Sequence, residues 1–138
     1  MKIDSMASSR IGLGKLISPH DIKQGILGDC YFLSALSSLA VEPLRILNLF
    51  ITRIVNPFGI YCVKICKDGE WKAVYVDDRI PCLKGAPAFT KANENELWVL
   101  ILEKAWAKLF KSYANIETGF SRIALRDLTG APTRVIPT

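Results

Sequence analysis

Residues 30–40, CYFLSALSSLA, carry no charge and are apolar or small at every position. A helix this apolar on all sides belongs inside a fold, so whatever the chain becomes must be built around it. Ser34, Ala35, Ser37 and Ser38 are small enough to let neighbouring elements approach closely. Asp29 stands where an N-cap belongs, one residue ahead of Cys30.

The rest of the chain can supply the surroundings. Half of its 138 residues are hydrophobic, enough for a core, and the length suits one domain or one lobe of a larger one. Residues 94–113, ENELWVLILEKAWAKLFKSY, repeat apolar side chains at helical spacing, with Asn93 and Glu96 placed as a capping box. Pro43 opens a second helix over about 43–52, and a short one is expected over about 120–128, stopped by Gly130-Ala131-Pro132. Residues 60–66 and 71–76 are rich in β-branched and aromatic side chains. Lys67-Asp68-Gly69-Glu70 between them predicts a hairpin. Residues 1–13 read as a loose, flexible lead, and 14–25 are rich in turn formers. Helices, one hairpin and no βαβ repeat point to an α+β lobe that is mostly helical.

The net charge of +5 raises the question of nucleic acid. The basic residues are scattered, however. Lys104, Lys108 and Lys111 cluster as the solvated face of the long helix, and no nucleic-acid-binding signature accompanies them. The N-terminus lacks the apolar core of a signal peptide, and no apolar run reaches the ~18 residues of a membrane span. A cytoplasmic address is expected, with Cys30, Cys62, Cys66 and Cys82 as thiols. A metal site at Cys62 and Cys66 finds no companion pair of ligands, and packing on the hairpin is the simpler account.

The stretch leading into the buried helix is QGILGDCYFL, residues 24–33. A cysteine at the first turn of a helix meets free backbone N–H groups and the positive end of the helix dipole, which favour an anion such as a thiolate. Gly25 and Gly28 let the loop turn tightly and leave room for another backbone. Gln24 can bring a side-chain N–H towards the same place as the Cys30 amide. Two converging donors beside a nucleophile make an oxyanion hole. The simpler alternative is a structural cysteine after a glycine turn; the coincidence of several requirements favours catalysis.

QGILGDCYFLSALSSLA resembles the active-site segment of the calpains, calcium-dependent cysteine proteases of the cytosol with a papain-like fold. EWKAVYVDDRIP, NELWVLILEKAWAKLFKSY and DLTGAP resemble further segments of the same family, in the same order, from about Pro19 to Pro132. One departure is Tyr31, where the family usually has Trp. Another is the stretch Ile17-Ser18-Pro19, where the family has a glycine shortly before the aspartate at position 21. The resemblance implies that residues 14–138 are the cysteine-bearing first lobe of a calpain-type core. It implies Cys30 as nucleophile and Gln24 as the oxyanion-hole side chain. It implies Asp21 and Glu96 as carboxylate ligands of a calcium ion, completed by backbone carbonyls. A turn or cap for Asp21 and the capping box for Glu96 stay open beside that.

The resemblance also implies a second lobe, carrying a His and an Asn, in a longer polypeptide. The one histidine here, His20, lies upstream in a turn and matches no family position. Protein substrates are the implied partners, and the chain alone is expected to be inactive. The other expectation is a non-catalytic calpain-like module with a binding or regulatory role.

Overall fold

The structure is a computed structural model that describes residues 22–24, 30–53, 57–79, 82–83, 86–87, 90–92 and 97–137. In chain order its elements are β1 (Ile22–Gln24), α1 (Cys30–Ala40), α2 (Pro43–Leu47), β2 (Ile60–Lys67), β3 (Glu70–Asp77), β4 (Cys82–Leu83), β5 (Ala86–Pro87), β6 (Thr90–Ala92), α3 (Leu97–Leu109), a 3-10 turn (Ala114–Ile116) and α4 (Ser121–Thr129). The fold is α+β: four helices around one long antiparallel hairpin, with two small antiparallel pairs, β1 with β6 and β4 with β5.

The core forms where α1, α3 and the inner face of the hairpin meet. From α1 it takes Phe32, Leu33, Leu36 and Leu39; from α3, Trp98, Ile101, Leu102, Ala105 and Trp106. From the hairpin it takes Tyr61, Val63, Ile65, Val74 and Val76. Phe32 stacks on Trp106 with ring centroids 4.9 Å apart, which locks the first turn of α1 to the C-terminal part of α3. The outer side of α1 is less buried than the all-round apolar pattern predicts. Cys30, Ser34 and Ser38 are exposed in one stripe, so the serines mark a surface rather than a close-packed seam.

The hairpin matches the expectation, with each strand one residue longer on the turn side and Ile60 paired with Asp77. Its two-residue turn works because Asp68 and Gly69 both take positive φ, 53° and 79°. The free edge of β2 is covered by the chain after α2. Lys64 N–H donates to Leu49 O at 2.9 Å and Ile51 N–H to Cys62 O at 3.0 Å. This pairing explains why α2 stops at Leu47 rather than near 52: residues 49–52 are drawn onto the sheet. Cys62 and Cys66 are buried there as free thiols.

The long helix ends at Leu109, short of the expected 113, because Lys111 adopts a left-handed φ of 76°. Lys67 Nζ reaches the last turn, 3.5 Å from Leu109 O, a favourable place for a cation at a helix C-terminus. The lysine stripe on α3 is not a free solvated face. Lys104 bonds the Asp77 carboxylate and the Arg79 carbonyl, and Lys108 Nζ donates to Tyr75 O at 2.6 Å, so both clamp α3 onto β3. The last helix is Ser121–Thr129, one residue later than expected, with Gly130 at φ 73° as its left-handed cap. Asn93 and Glu96, the expected capping box of α3, lie outside the described residues.

Candidate functional site

Cys30 is the first residue of α1, exposed, with a free thiol. Its position sets it beside the first N–H groups of a helix, which have no partner within the helix. It is exposed, whereas Cys62 and Cys66 are buried. Gln24 is the last residue of β1, paired with Thr90. Residues 25–29, including Asp29, lie outside the described residues, as do Asp21, His20 and Glu96.

The small ribbon β1–β6 is one of two short pairs that sequence patterns did not reveal, and it bears on the site. Its register sets Ile22 opposite Ala92 and Gln24 opposite Thr90. β1 lies against α1, and β6 lies against α3. The segment that leads to Gln24 is therefore tied to the segment that leads into the long helix. Three-residue strands carry too little periodicity to be seen in a sequence.

The residues after Cys30 hold the start of α1 in place. The Trp106 indole N–H donates to Tyr31 Oη at 3.1 Å. The Tyr31 ring lies over Gly119, where an added Cβ would fall 2.7 Å from Cζ. Phe32 stacks on the same indole. This three-way contact was missed in the sequence. Its one visible signal is Trp106 at a core position of α3, since a buried indole N–H needs an acceptor.

The paired aspartates at the end of β3 have separate tasks. The Lys104 hydrogen bond holds the Asp77 carboxyl below the usual carboxylate range, aided by the Arg79 backbone N–H and by the charges of Lys104 and Arg79, against some desolvation. Asp78 is buried, and its carboxylate lies where a Cβ on Gly59 would meet it at 2.6 Å. Its N–H donates to Gly59 O at 2.9 Å. Among the described residues, no group of three or more His, Cys, Asp or Glu converges to hold a metal ion. No described helix is long and apolar enough to cross a membrane.

An exposed thiol at the start of a core helix in an α+β lobe has the placement that a cysteine nucleophile needs. The profile of the calpain family cysteine proteases matches residues 6–138, nearly the whole chain, and the chain belongs to that family. It is similar to the calpain-type cysteine protease ADL1 of Oryza sativa, 53% identical over 116 residues, which is 83% of this chain and 5% of that protein. Calpain-type cysteine protease DEK1 of Zea mays matches at the same identity and coverage. Human calpain-12 is 36% identical over 129 residues, covering 87% of this chain and 17% of calpain-12. The chain therefore spans a small part of the curated relatives it matches.

Proposed function

We propose that this chain is the cysteine-bearing lobe of a calpain-type endopeptidase, with Cys30 as its nucleophile. The observation that carries the reading is the exposed Cys30 thiol at the first position of α1 in a chain of the calpain family. In the proposed reaction the Cys30 thiolate bonds to the carbonyl carbon of a peptide. The tetrahedral oxyanion is held by the Cys30 N–H and the Gln24 side-chain N–H. The C–N bond then breaks, the amine leaves with a proton from the base, and water hydrolyses the thioester to free the thiol. The base and its orienting group are proposed to come from a second lobe of a longer polypeptide. The relatives, each many times longer than the matched segment, support that. Cytoplasmic thiols stay reduced, and the proposal places the enzyme there, acting on protein substrates.

Asp21 and Glu96 are the proposed carboxylate ligands of a calcium ion. The β1–β6 register supports the pairing: Ile22, next to Asp21, is opposite Ala92, four residues before Glu96. Two carboxylates with added carbonyls suit a hard cation that wants about six to eight oxygens, and the bound ion supplies positive charge that ties the two segments together. If so, calcium slows hydrogen exchange around residues 16–30 and 93–98 and raises the melting temperature modestly. Unchanged exchange in both segments would remove the calcium assignment.

The test of function uses the longer polypeptide that contains this lobe, with casein as substrate and calcium present. Cys30→Ala should abolish cleavage, and Gln24→Ala should lower kcat by about a hundredfold or more. Undiminished cleavage by Cys30→Ala rejects the proposal and leaves a binding or regulatory module as the better account.

A further inference from the structure

We infer that Tyr31 is a positioning residue for Cys30, acting through a hydrogen bond to Trp106 and a steric stop on Gly119; this rests on Cys30 being the nucleophile. Cys30 is exposed and so has little packing of its own to fix it. One peptide bond away, Tyr31 is half-buried and held at its hydroxyl end by two contacts. Trp106 is 1% exposed, so its indole N–H depends on a protein acceptor, and the Tyr31 hydroxyl at 3.1 Å supplies one. The hydroxyl-bearing end of the ring also lies against Gly119, where an added Cβ would fall 2.7 Å from Cζ and 2.8 Å from Cε2. Phe32 stacks on the same indole, so Trp106 grips two successive residues of the first turn of α1.

The consequence concerns geometry near the thiol. A helix start that is held still keeps the Cys30 sulfur and its backbone N–H aimed at one place, where a substrate carbonyl can meet both. Removing the Tyr31 hydroxyl orphans a buried donor and frees the ring to shift. The first turn then samples arrangements in which the sulfur and the N–H no longer point at one place. Tyr31 touches no reacting atom in this account. Its effect passes through the backbone it shares with Cys30.

The pair also has a swap that distinguishes the hydrogen bond from bulk. Trp is a donor only, whereas Tyr can accept. Tyr31→Trp sets two indole donors against each other. Adding Trp106→Tyr restores one donor and one acceptor with the same two side chains exchanged.

The experiment measures the rate of iodoacetamide alkylation at Cys30, by peptide mass, at a temperature well below unfolding. The thermal midpoint of each variant is recorded beside it. Tyr31→Phe should slow alkylation about fivefold, the scale of one net hydrogen bond. Tyr31→Trp should slow it at least as much, and the double swap should recover most of the rate. A wild-type rate in Tyr31→Phe overturns the inference while leaving Cys30 as nucleophile. So does a double swap that restores the thermal midpoint but not the rate, since that marks a purely structural contact. Wild-type Cys30 reacting no faster than the cysteines of the urea-unfolded chain overturns both the inference and the nucleophile reading.

Discussion

The start of α1 and the middle of β2 both carry cysteines, and they make opposite use of them. Cys30 sits at a helix N-terminus, exposed, with its neighbours Tyr31 and Phe32 locked to Trp106. Cys62 and Cys66 sit in a strand covered on its free edge by residues 49–52, and behave as small apolar side chains. The same thiol is available for chemistry in one place and packing in the other. The difference lies in the backbone. A helix start leaves N–H groups without a partner in the helix, whereas β2 spends its own on β3 and on the chain after α2.

The largest expected effect follows from burial. Cys30 should be alkylated more than about a hundredfold faster than Cys62 or Cys66 in the folded protein, because buried thiols react only on opening. Site-resolved mass spectrometry reads this. Similar rates at all three would erase the distinction between the regions.

The two faces of α1 sharpen the comparison next. Leu36 is fully buried, and Leu36→Ala should cost about 2–5 kcal/mol in urea unfolding. Ser34, on the exposed stripe with Cys30, should tolerate Ala within about 0.5 kcal/mol. A large loss at Ser34 would mean that the stripe is covered by something other than solvent.

At the base of the hairpin, Gly59→Ala should cost about 1–3 kcal/mol. It must force a side chain into positive φ, 62°, and against the Asp78 carboxylate. Gly69→Ala meets nothing within 4 Å and bears only its own φ of 79°, so it should cost less, about 1 kcal/mol. Thermal melts of the two variants suffice, and an equal loss would locate the strain in φ alone.

The smallest effect is electrostatic. The Lys104 hydrogen bond lowers the Asp77 pKa, so the pair stabilises the fold above the ordinary value of 3.8 and loses that contribution as the pH falls through the folded value. Asp77 is 55% exposed at its side chain, so solvent screening limits the contribution to about 1 kcal/mol or less. Stability against pH for Lys104→Met should lose that step. An unchanged acid limb would mean that the ion pair is neutral in energy.

Long, strongly patterned elements were legible in the sequence. The buried helix 30–40 is α1 to the residue, and the hairpin and its turn appear where the β-branched runs and Asp68-Gly69 place them. The calpain likeness was legible too, because it rests on several segments in order. Three features were not. The pairing of β1 with β6 joins residues about seventy apart through strands too short to show a period. The early end of α2 is imposed by β2, which its own residues do not announce. The lysines of α3 looked solvated because their acceptors, Asp77, Arg79 and Tyr75, come from a distant strand and its end. At the candidate site, Cys30 was placed by its helix, whereas Tyr31, Trp106 and Gly119 meet only in three dimensions.

The central claim is that Cys30 is a protease nucleophile. The most direct measurement treats the longer polypeptide that carries this lobe with a peptidyl epoxide, a thiol-directed electrophile, with and without calcium, and maps the adduct. The account predicts a single adduct on Cys30, formed faster with calcium and lost in Gln24→Ala at matched times. An adduct spread over several cysteines, or none on Cys30, would contradict it.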